Sequence, residues 1–134
     1  MIRNVQIPVV TDVAVAVVKE LNAEKEWVWN TYLVNLKEVS LENVLVSSTG
    51  YGEIKNEKRM TSTLRHFIGT VEANSFVKIE PIMEELFGIN NEYWVSFYIN
   101  KEIFDKKFVF LAESICEENF TNIPVLKKKG VMIK

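Results

Sequence analysis

The chain has 134 residues, 48% of them hydrophobic and 25% charged, with 5 Gly and 3 Pro. That composition excludes disordered, collagen-like and low-complexity classes, and the length predicts one domain spanning residues 1–134. Sixteen Lys plus Arg against 18 Asp plus Glu leave a formal charge of −2, so no global positive field invites a nucleic-acid backbone.

The first element is predicted over Val9 to Val18. Val9, Val13, Val15 and Val17 share one parity, and Asp12, Ala14, Ala16 and Val18 the other, a period of two that fits a strand. Valines favour that choice, since a β-branched side chain packs on a pleated surface and loses rotamer freedom in a helix. Ala14-Val15-Ala16 superficially matches a signal-peptidase site, but Asp12 interrupts the run, Pro8 precedes it and only Arg3 offers a basic flank. No stretch approaches the ~20 apolar residues that a membrane helix needs, so a cytoplasmic location without membrane contact is expected.

Trp27 to Leu36 and Leu41 to Ser48 are two β-prone runs joined by a short polar link, which reads as an antiparallel hairpin. Ser47 to Gly52 reads as a strand end and turn. The hydroxyls and paired glycines of that segment lack the Gly-Lys-Ser/Thr or Gly-x-Gly-x-x-Gly context of a phosphate loop. Glu53 to Arg59 is predicted to close a further hairpin, followed by strands at Met60 to Ile68 and Ser75 to Pro81. Pro81 to Gly88 is the best helical candidate, with Pro in the first turn, early acids and Gly at the end. Tyr93 to Asn100 and Lys107 to Ala112 form the next hairpin around Lys101 to Asp105, and Glu113 to Asn119 is a turn. Val125 and Val131 to Ile133 add short strands, with Lys127 to Lys129 as a solvated turn between them.

Some strands are apolar on both faces. Tyr93, Val95, Phe97 and Ile99 oppose Trp94 and Tyr98, and Trp27 with Trp29 opposes Val28, Tyr32 and Val34. A sandwich strand ordinarily keeps one wet face, so the second apolar face implies either a cover, for which Leu86 and Phe87 are the candidates, or a self-association surface.

The stretch Asn35, Leu41, Asn43-Val44, Val46 and then Val71-Glu-Ala-Asn-Ser-Phe76 is similar to the hairpin grammar of bacterial immunoglobulin-like sandwich domains of the FxLYD type. In that pattern a strand ends near an Asn, a polar turn follows, and the next strand reads Leu-x-Asn-Val-x-Val. The expected Leu-Tyr-Asp segment is replaced by Ser47 to Gly52. The resemblance implies a sandwich fold and an accessory or binding role.

The single cysteine, Cys116, has no partner for a disulfide or a Cys-x-x-Cys motif, and it is expected to pack as a small buried side chain. A nucleophilic pair with His66, the lone histidine, lacks any supporting signature, and no second ligand at metal spacing surrounds that histidine. The residues most able to build a ligand site are Tyr51, Arg59, Arg65, His66 and Trp94, because guanidinium groups match oxyanions and exposed aromatics stack on sugars.

These features predict an all-β, antiparallel two-sheet immunoglobulin-like sandwich of seven to nine strands with at most short helical turns. The expected role is non-enzymatic, through a protein partner or self-association, with no cofactor, no metal, no nucleic acid and no membrane. Binding of a small anionic ligand or saccharide is the alternative.

Overall fold

The computed structural model describes residues 8–134. Arg3, weighed above as a leader flank, lies outside them. Ten strands form: β1 (Val13–Leu21), β2 (Trp27–Asn35), β3 (Leu41–Ile54), β4 (Glu57–Met60), β5 (Leu64–Val71), β6 (Ser75–Pro81), β7 (Asn90–Ile99), β8 (Glu102–Phe110), β9 (Thr121–Ile123) and β10 (Lys128–Ile133). They make two antiparallel sheets, one in the order β6-β2-β1-β10-β9 and the other in the order β4-β3-β7-β8, with β5 also on β3. The all-β two-sheet sandwich expected from the sequence is therefore what the chain forms. Its core lies between the sheets, where Val13, Val15, Val17, Trp29 and Leu33 of the first meet Val44, Val46, Tyr93, Val95, Phe97 and Phe108 of the second.

The expected hairpin between Trp27–Leu36 and Leu41–Ser48 does not form, because β2 and β3 belong to different sheets. The link is a corner, and Asn35 pins it. Its buried carboxamide donates to the carbonyls of Val39 (2.9 Å), Glu72 (2.9 Å) and Val71 (3.3 Å) and accepts from the Lys37 amide (3.0 Å). A short polar link between two β runs fits a turn or a corner equally well, and a side chain that satisfies several backbone groups at once decides for the corner.

Other boundaries shift for local reasons. β1 starts at Val13 because Asp12 adopts a left-handed backbone (φ 58°), while its carbonyl accepts the Leu36 amide at 2.8 Å. Ser47 to Gly52 is not a turn: β3 runs straight through it, paired with β7 on one side and with β4 and β5 on the other. Space is tight at Gly50, since a Cβ would lie 2.9 Å from Ile89 Cδ1 and 3.0 Å from Thr61 Cγ2 and those side chains would have to shift. Met60 to Ile68 is interrupted at residues 61–63, which separate β4 from β5 along the same edge of β3. The helix predicted from Pro81 shortens to a 3-10 turn at Glu84–Leu86, because Pro81 itself ends β6 opposite Asn30. The hairpin turns are tighter than predicted: Lys55-Asn56 and Asn100-Lys101 each close two strands with both residues at positive φ.

β1 is apolar on both faces. Its second face, Ala14, Ala16 and Val18, joins Tyr32 and Val34 in a smaller outer core, roofed by Ile123 at the end of β9 and Leu126 from the turn that follows. Leu86 and Phe87 do not cover Trp94 and Tyr98 as expected. They pack on the inner core, where Phe87 meets Trp29 edge-on at 5.0 Å between ring centroids.

Candidate functional site

The most concentrated chemistry lies between the sheets, where β6 at the edge of one faces β5 and β3 of the other. The Glu80 carboxylate of β6 enters from the first sheet. From the second, Ser48 Oγ donates to its Oε1 at 2.7 Å and His66 Nε2 lies 2.7 Å from the same oxygen. Tyr93 Oη donates to Oε2 at 3.2 Å and stands 3.0 Å from the Thr31 hydroxyl of β2. Register explains the meeting: Val46 pairs with both His66 and Val95, so β3, β5 and β7 turn His66, Ser48 and Tyr93 toward the core on one face. Burial, reinforced by the negative charge of Glu80, pushes the Tyr93 hydroxyl well above the ordinary tyrosine range.

A cavity of about 190 Å³ opens beside this cluster. Ser48, Glu80 and Tyr93 line it together with Leu64, Leu86 and Asn91. The break between β4 and β5 forms its mouth, with Thr61 and Ser62 on the rim. Thr61 holds that break in shape, its amide donating to the Gly50 carbonyl at 2.8 Å and its hydroxyl accepting the Gly50 amide at 2.7 Å.

The pleat divides the five residues picked from the sequence. His66 faces inward onto Glu80. Arg59 pairs opposite Gly52, bridges to Glu57 at 3.6 Å and lines a separate groove with Glu85 and Ile89. Tyr51, Arg65 and Trp94 occupy the opposite, outer face of the second sheet, where Arg65, Ser47, Trp94 and Lys107 form one cross-strand row. Lys107 Nζ stands 4.7 Å from the Trp94 ring centre. Thus no single pocket gathers all five. Cys116 hydrogen-bonds with the Ser114 carbonyl and the Asn119 amide, and no hydrogen bond joins it to His66. Sequence reasoning missed Glu80 altogether. The available signal was its period: Phe76, Lys78 and Glu80 share a parity in an alternating strand, but the shift in register against Thr31 and Tyr32 turns Glu80 inward.

The outer face of the second sheet is the other notable surface. Leu45 (39% exposed), Phe67 (71%), Trp94 (44%), Tyr98 (37%) and Ile103 (48%) all lie on it, with Leu45 opposite Phe67 and Tyr98 opposite Ile103. No element among the described residues roofs it, in contrast to the outer face of the first sheet. Among the described residues there is no group of three or more His, Cys, Asp or Glu placed to hold a metal ion, and no helix long and apolar enough to cross a membrane. No protein-family model, curated protein or solved structure matches the chain.

Proposed function

We propose that this domain is a non-enzymatic protein-interaction module, and that the outer face of its second sheet is the surface it uses. The observation that carries this reading is the unroofed set of Leu45, Phe67, Trp94, Tyr98 and Ile103 on one flat face. Such a face of an antiparallel sheet is ordinarily polar, and a contiguous apolar patch marks contact with another protein. The partner is a second copy of this chain. Charges of both signs punctuate the face, and on β8 Lys107 and Asp105 stand two residues apart on the same side. A two-fold axis in the interface, perpendicular to the strands, sets Lys107 of one copy against Asp105 of the other, so the charges of the face complement themselves. The accessory role implied by the FxLYD-like residue pattern agrees with this.

The way the Glu80 cluster is used supports a role without chemistry. A serine nucleophile needs an imidazole that accepts its proton, whereas Ser48 and His66 both reach the same carboxylate oxygen and neither is bonded to the other. The cluster ties the two sheets together.

Sedimentation equilibrium tests the reading. The native chain is expected to form a dimer, and Phe67→Glu or Trp94→Glu, both at exposed positions, to return it to a monomer with an unchanged far-ultraviolet spectrum. A native chain that sediments as a monomer throughout the micromolar range overturns it.

A further inference from the structure

We propose that the cavity beside Glu80 is a binding site for a primary alkylammonium group, as carried by a lysine side chain or a small free amine, with Glu80 as its counter-ion. Three observations point to a cation with a short apolar stem. First, the acceptor capacity of the carboxylate is not exhausted. An ionised carboxylate offers about four acceptor positions, whereas Oε1 takes short bonds from Ser48 and His66 and Oε2 takes only the longer 3.2 Å bond from Tyr93. The under-used oxygen belongs to the residue that lines the cavity.

Second, the charge around the cavity has one sign. Glu80 and Glu92 line it, no Lys or Arg does, and His66, behind the lining, is already spent on Oε1. An anionic ligand would meet carboxylates there with no cation to offset them, which costs several kcal/mol in a partly dry site. A cation meets the reverse, together with hydroxyls of Ser48, Thr61 and Ser62 as further acceptors.

Third, size and wall chemistry select the rest of the ligand. At about 190 Å³ the cavity falls below the roughly 300–1,000 Å³ of pockets for drug-sized molecules, so it admits a single short chain. Leu64 and Leu86 supply apolar walls for methylene groups, while the carboxylate receives the head. An ammonium on a flexible stem fits that order better than a planar guanidinium, whose fork of donors needs a bidentate partner; Oε1 is already doubly engaged. The strand break at residues 61–63 gives an entry that leaves the main ladder of β3 with β7 intact.

Amide chemical-shift titration of the full chain, at constant ionic strength, tests the site with n-butylammonium, with Nα-acetyl-lysine methylamide and with the neutral isostere 1-butanol. Butylammonium is expected to move the amides of Ser48, Glu80 and Asn91 in a saturable way, while 1-butanol leaves them unchanged. Glu80→Gln weakens binding by at least about tenfold, since it removes the charged partner of a charge-assisted bond. Should that variant fail to fold, Ser62→Trp blocks the mouth from an exposed loop position and is expected to abolish the shifts. Binding of both ammonium probes assigns the site to lysine side chains, and binding of butylammonium alone assigns it to free amines. Absence of saturable shifts with either, or equal shifts with 1-butanol, overturns the proposal.

Discussion

His66 Nε2 and Glu80 Oε1 lie 2.7 Å apart although their strands belong to different sheets. With Ser48 and Tyr93 on the same carboxylate, Glu80 is a polar bolt between the two sheets. Glu80→Ala strands three donors beside the core, and the expected cost is about 2–3 kcal/mol, since each orphaned buried polar group carries its own desolvation penalty. Tyr93→Phe removes the 3.2 Å bond to Glu80 and the 3.0 Å bond with the buried Thr31 hydroxyl, and is expected to cost about 1–2 kcal/mol. Urea denaturation reads both as shifts in midpoint at constant slope, and a Glu80→Ala variant as stable as the native chain would deny the bolt any structural role.

Gly130 is a second place where the sheets leave no latitude. It pairs with Val18 in β1, and a Cβ there would stand 2.3 Å from the Val17 carbonyl oxygen. Backbone cannot retreat as a side-chain tip can, so Gly130→Ala must part β10 from β1, at an expected cost of about 2–3 kcal/mol. Gly88→Ala is the matched control. Its nearest neighbour would be 3.8 Å from the new methyl, and its effect is expected within about 0.5 kcal/mol. Thermal melts of the two variants should separate clearly, and equal melting temperatures would contradict the crowding at Gly130.

Period-two alternation of residue types made the sandwich legible, although only β7 is buried on alternate positions, while β1 and β2 are buried on both faces. It could not tell which runs pair. Trp27 to Leu36 and Leu41 to Ser48 look like a hairpin until Asn35 is seen to hold the backbone of residues 71 and 72 from far along the chain. The candidate site was half legible for the same reason. His66 stands out in the sequence as the lone histidine, but its partner Glu80 is set by a register shift between β2 and β6 that leaves no local mark in the sequence. Trp94 and Tyr98 were readable as an outer aromatic pair, whereas the roof over the other sheet depends on a turn at residues 124–127, where Val125 read as a short strand.

The tight turns give a stabilising substitution. Asn100 and Lys101 both sit at positive φ (49° and 67°) in a two-residue connection between β7 and β8. Asn tolerates that region through its short polar side chain, but Lys pays a Cβ penalty that glycine avoids. Lys101→Gly is expected to raise stability by about 0.5–1 kcal/mol, because relief of the strain exceeds the added freedom of the unfolded chain. Differential scanning calorimetry should show a higher melting temperature. A lower one would mean that the lysine stem contributes more through packing than its backbone costs.

The last prediction concerns pH, and its sign follows from two groups on the outer side of the first sheet. Burial works to raise the Glu20 carboxyl, but hydrogen bonds from Lys128, Tyr32 (2.6 Å) and Asn30 (2.7 Å) outweigh it and hold the group below its ordinary 4.5. Tyr32 in turn is raised above its ordinary 10.0, first by burial and then by Glu20. For Glu20 the unfolded chain takes up a proton near pH 4.5 while the folded chain still resists it, so stability present above that pH is lost as the pH falls further. For Tyr32 the folded chain keeps its proton above pH 10.0 while the unfolded chain releases it, so stability present below that pH is lost as the pH rises. Tyr93, raised likewise, adds to the alkaline loss. The native chain is therefore expected to hold a plateau between these limits. Glu20→Gln should lower the plateau and flatten the acid limb, because glutamine keeps only one of the two acceptor oxygens and carries no charge for Lys128 to answer. Tyr32→Phe should flatten the alkaline limb while leaving part of the acid limb, since Lys128 and Asn30 still hold the carboxylate. Chemical denaturation across the pH range checks this directly, and an acid limb of unchanged slope in Glu20→Gln would show that other carboxylates set it.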